Sequence, residues 1–100
     1  MRVQNMRRDK GNVIANQFII EDESKICFQS YDSMIVTIDY KNQIIIVGED
    51  WDYSMTTGKY RNLFMKDYTR FGRDMGDKKG FEYWMNRGII ANYTIIKEEA

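Results

Sequence analysis

Two apolar runs, residues 33–39 (SMIVTID) and 43–48 (QIIIVG), constrain this chain most, because only Asp39-Tyr40-Lys41-Asn42 connects them. β-Branched residues dominate both runs and suit the pleated, half-buried surface of a strand. Asp favours the first position of a type I turn, and Asn tolerates the left-handed conformation that closes a three-residue loop with a bulge. That turn sets a register in which Asp39 faces Gln43, Ile38 faces Ile44 and Val36 faces Ile46. On the other side Ile35 faces Val47 and Thr37 faces Ile45, so both faces of the hairpin are apolar. A sheet packed by helices on one side needs only one apolar face. The second face therefore requires a cover: the N-terminal arm, a second copy in a homodimer, or a partner.

The rest of the chain supplies both layers. Residues 13–20 (VIANQFII) and 25–30 (KICFQS) read as two earlier strands around the turn Glu21-Asp22-Glu23-Ser24, with Ile26 and Phe28 on one face. The single cysteine, Cys27, lies in an apolar run and reads as a small buried core residue. Residues 1–11 (MRVQNMRRDKG) are polar, basic and without period, and read as a flexible basic arm. Downstream, Ser54 or Thr57 can cap a helix whose Tyr60, Leu63, Phe64, Tyr68 and Phe71 fall on one face. Gly72 and Gly76 break that pattern. Asp77 can cap a second helix with Phe81, Trp84 and Met85 inward and Gly88 as its stop. Residues 89–96 (IIANYTII) close the chain as a strand, before a polar tail at 98–100. The order β-β-β-β-α-α-β predicts one α+β domain over residues 12–97. It is a mostly antiparallel sheet of about five strands packed by two helices.

The chain contains no histidine. That removes the commonest general base, the commonest zinc ligand and every Ser–His or Cys–His arrangement. Neither an enzyme nor a cofactor or metal protein is expected. There is no apolar run of about 18 residues and no signal-peptide pattern, which predicts a cytoplasmic chain without a membrane partner. Fifteen Lys and Arg balance fifteen Asp and Glu, but they are segregated. Residues 21–52 carry eight acids against two lysines, and residues 53–80 carry seven bases against three acids.

Each charged half holds a candidate site. The acidic corner Glu49, Asp50, Trp51, Asp52 and Tyr53, with the second acidic turn Glu21, Asp22 and Glu23, offers carboxylates and aromatic anchors to a basic site on a partner protein. The competing reading is a strand-to-helix turn with acids at a positive helix N-terminus and aromatics plugging the core. The basic segment Lys59, Arg61, Lys66, Arg70, Arg73, Lys78 and Lys79 can track a nucleic-acid backbone. Its competitor is a solvated face, since Asp67, Asp74 and Asp77 interleave. Thr56-Thr57-Gly58-Lys59 lacks the glycine spacing of a phosphate loop.

Phe28-Gln29-Ser30-Tyr31-Asp32-Ser33, Trp51-Asp52-Tyr53-Ser54, Thr56-Thr57, Lys59-Tyr60-Arg61 and Phe64 resemble a family of short, uncharacterised proteins of bacteriophages and mobile elements. The likeness spans roughly residues 26–65. It implies a phage or prophage origin and a host-cytoplasmic site of action, and it implies no activity. The expectation is a small inhibitor that binds a host protein, such as a CRISPR effector or another defence nuclease. The alternatives are an accessory nucleic-acid-binding module and a structural, oligomerising assembly protein.

Overall fold

Alternating strand residues fill the first half of the chain, and helical spacing begins only after Trp51. The computed structural model describes residues 1–8 and 11–98. Those residues form β1 (Arg2–Arg7), β2 (Val13–Asp22), β3 (Lys25–Ser30), β4 (Ser33–Asp39), β5 (Ile44–Val47), α1 (Met55–Tyr68), α2 (Gly72–Met75), α3 (Lys78–Arg87), β6 (Ile89–Ile90) and β7 (Tyr93–Lys97). The class is α+β. The described strands make one sheet in the order β1-β2-β3-β4-β5-β7-β6. Its first five strands form an antiparallel meander, and β7 joins parallel to β5. A parallel neighbour needs a long crossover, and the three helices are that crossover. Among the described residues no helix is long and apolar enough to cross a membrane.

The core lies between one sheet face and the helices. Ile26 and Phe28, Val36 and Ile38, Ile45 and Val47, and Ile95 are all buried. Phe28 stacks on Phe64 of α1 at 5.8 Å, and Phe71 meets Tyr93 edge-on at 5.2 Å. Ser54 caps α1 by accepting the Thr57 N–H, Asp77 caps α3 by accepting the Gly80 N–H, and Gly88 ends α3 in the left-handed region at φ 82°. Phe81 and Met85 are buried under α3, whereas Trp84 is half-buried.

Several sequence-based expectations change. Residues 2–7 are not a flexible arm: they pair with β2 as an edge strand and bury Met6. Their polar residues suit an edge, which needs a ladder on one side only. Asp9, Lys10 and the last two residues of the polar tail lie outside the described residues. The final strand is two strands, because Ala91 (φ 50°) turns the chain between Ile90 and Tyr93. A third short helix, α2, sits between the two expected ones, and among the described residues the sheet has seven strands, not about five, and the helical layer three members.

The hairpin register differs by one residue. Asp39 faces Ile44, Ile38 faces Ile45 and Val36 faces Val47. The Asp39 carboxylate accepts both the Asn42 backbone N–H (3.0 Å) and its side-chain amide (2.9 Å). Gln43, not Asn42, takes the left-handed conformation, at φ 55°. One residue of slip exchanges the faces. Ile45 and Val47 therefore turn inward, and Ile44 and Ile46 turn outward, half-buried. Ile35 is an extra residue at a bulge opposite β3 and is buried. Cys27 also faces outward, half-buried, with its sulfur 3.1 Å from the Thr37 hydroxyl.

Candidate nucleic-acid interface

The corner between β5 and α1 is built around a buried arginine. Gly48 admits the sharp exit from β5, because a Cβ there would run into the Met34 carbonyl. The following turns bring Trp51 inward, where it is 8% exposed and its ring stacks on Phe81 at 5.5 Å. Arg61 reaches the corner from the second turn of α1 and is 0% exposed. Its guanidinium lies 5.3 Å from the Trp51 ring centre and 4.8 Å from that of Phe81. It donates to the Trp51 carbonyl at 2.8 Å and to the Asn62 side chain at 2.9 Å. Burial pulls its pKa down and Asp52 opposes that pull; an arginine stays protonated regardless.

Asp52 joins two helices. Its carboxylate stands 3.5 Å from Arg61 of α1 and 2.8 Å from Lys78 at the start of α3. Lys78 holds the Asp52 carboxyl below the ordinary value of 3.8, with Arg61 adding to the effect. The same contact raises Lys78. On the sheet side, the Ser30 and Thr57 hydroxyls meet at 3.0 Å and Ser33 donates to Asp50 at 2.6 Å, fixing the corner to the β3–β4 turn.

A groove of about 990 Å³ opens beside this corner along α1. Six cations among the described residues line it: Arg7, Arg8, Lys59, Arg61, Lys66 and Lys78. Among the described residues the one acid lining it is Asp52, already engaged by Arg61 and Lys78. Ile14, Tyr60 and Leu63 contribute apolar wall. Arg7 is held there by the β1–β2 loop, where it donates to the Gly11 carbonyl at 2.7 Å. Among the described residues no group of three or more His, Cys, Asp or Glu is placed to hold a metal ion.

The fold thus sorts the candidates. Lys59, Arg61, Lys66 and Lys78 converge on the groove, whereas Arg70, Arg73 and Lys79 are exposed and do not line it. Arg61 is a core residue, not a surface cation. Arg7 and Arg8 complete the groove although their strand carries only a weak apolar pattern; the turn signal Gly11-Asn12 ahead of a strand was the clue to a hairpin there. Within the acidic corner, Glu49 and Tyr53 are exposed, Asp50 is half-buried and Trp51 is buried, while Asp52 lies at the surface but is tied to the buried Arg61 and to Lys78. Charge reversal at Asp52 therefore disturbs the fold and is no neutral surface change. Glu21, Asp22 and Glu23 sit at the opposite end of the sheet, beside the β4–β5 turn, where the Tyr40 N–H reaches the Ser24 carbonyl. The two acidic turns do not form one surface.

A family model described as a family of unknown function, DUF8033, matches residues 1–82. The chain belongs to this family. The matched stretch contains every residue lining the groove and ends inside α3. No curated protein and no solved structure matches the chain.

Proposed function

We propose that this member of DUF8033 is a binding module that holds a nucleic-acid backbone in the groove along α1. The supporting observation is the charge of that groove: Arg7, Arg8, Lys59 and Lys66 are exposed along it, and among the described residues its one carboxylate, Asp52, is already taken by Arg61 and Lys78. Cations in a concave strip attract phosphates without reading sequence, and the low-dielectric wall strengthens the field. Tyr60 is buried, so the groove offers charge and shape rather than a base-stacking platform. The sequence blocks around FQSY and WDYS add a phage or mobile-element origin and action in the host cytoplasm as parts of the same proposal.

The test is fluorescence anisotropy with a labelled single strand and a matching duplex. Binding is expected at about 50 mM salt, falling at least tenfold in Lys59→Glu with Lys66→Glu. Both lysines are exposed on α1, so the fold survives the change. Equal binding by wild type and variant contradicts the proposal.

One observation favours a second reading, the inhibitor of a host defence protein. Tyr53 and Met55, at the mouth of the corner, are 73% and 93% exposed beside Glu49 and Asp50. Exposed aromatic and thioether side chains with acidic neighbours make anchors for a basic protein surface. Loss of phage or plasmid protection in Tyr53→Ala with Met55→Ala would favour this reading; equal protection by wild type and variant would remove it.

A further inference from the structure

The helices cover one face of the sheet, and the register aligns apolar residues on the other. Val3 faces Ile20, Ile20 faces Cys27, Cys27 faces Thr37, Thr37 faces Ile46 and Ile46 faces Ile96. This row crosses six adjacent strands without a charge. Val3 is 56% and Ile96 47% exposed. We propose that this face is the interface between two copies of the chain, packed sheet on sheet.

Size is the first argument. Six strands, each about 4.8 Å wide, cover about 29 Å, and five or six residues at about 3.3 Å give about 18 Å. That footprint is about 500 Å² per copy, or about 1,000 Å² for two before side-chain relief is counted, the level at which specific interfaces begin. Charge is the second. The outward charges Asp22, Lys25 and Asp39 are neighbours in register at one margin and alternate in sign. A polyanion or a charged protein finds no complementary field at the centre of this face. A second copy meets apolar row with apolar row around a two-fold axis, as isologous contacts do. In such a dimer the α1 grooves point away from each other, because α1 packs on the opposite face of the sheet. That consequence rests on the proposed function; the interface itself does not.

Sedimentation velocity and light scattering of the full chain, without nucleic acid, test the interface over about 5 to 500 μM. The expected mass is twice the 12.0 kDa of one chain, falling to one chain in Val3→Lys with Ile96→Lys. Both sites are about half exposed, and circular dichroism checks that the variant is folded. Should that variant fail to fold, alkylation of Cys27 in the unaltered protein gives an independent reading. Its rate should fall at least tenfold from the most dilute to the most concentrated sample. A monomer at every concentration, a dimer that persists in the folded variant, or a concentration-independent alkylation rate would overturn the interface.

Discussion

At the residue scale, Arg61 decides how the corner is held. Its guanidinium is buried against two rings and bonded to Trp51 and Asn62, while its Nε has no partner among the described residues. Removing the side chain leaves a cavity and an unpaired Trp51 carbonyl. Arg61→Ala is expected to lose about 3 kcal/mol in urea unfolding, and Arg61→Met less than half of that, since an apolar isostere removes the buried charge without the void. Equal losses would mean that the charge, not the packing, carries the corner. Asp52 gives the matching pH prediction. Its folded-state pKa lies below 3.8, so its contribution is fully present above that value and is lost as pH falls through the folded pKa. Asp39, held down by Asn42, behaves likewise. The stability gap between wild type and Asp52→Asn should therefore be constant near neutrality and close below about pH 4. A gap that widens on acidification has the wrong sign. The cap at Asp77, and Ser54 as one of two candidates with Thr57, were legible in the sequence because a hydroxyl or carboxylate preceded an apolar period. The fate of Arg61 was not, because a lone arginine on a helix reads the same whether it faces solvent or two aromatic rings.

At the scale of elements, the sequence carried the class and most strands, and it misled where a single turn residue or an edge decided the outcome. Four β-rich runs and two capped helices were readable from period and punctuation. The hairpin slipped by one because the Asp39–Asn42 bonds closed the turn and passed the left-handed position to Gln43. Apart from the turn signal at Gly11-Asn12, the first strand left little trace because an edge strand buries little: Met6 is its one buried apolar residue. That burial makes a prediction. Met6→Ala should cost about 1.5 to 3 kcal/mol, whereas a flexible arm would lose nothing. Removing residues 1–7 altogether should expose the β2 ladder and promote association through the new edge. An unchanged thermal midpoint for Met6→Ala would return residues 1–7 to the status of a free arm.

At the scale of the whole molecule, charge segregation along the sequence becomes segregation in space only in part. The basic segment of α1, the start of α3 and the β1–β2 loop meet at one groove, while the two acidic turns separate to opposite ends of the sheet. The groove was half legible: Lys59, Arg61, Lys66 and Lys78 belong to the basic segment, but Arg7 and Arg8 come from about 50 residues away through a hairpin. Long-range convergence of this kind has no local signature. The central claim is that these cations bind phosphates, and the salt dependence of single-strand binding tests it most directly. With about four phosphates neutralised, log K against log salt should fall with a slope of about −3, and Lys59→Gln with Lys66→Gln should make it shallower by about 1.4. An unchanged slope in the variant, or no binding even at about 50 mM salt, would contradict the groove as a backbone site.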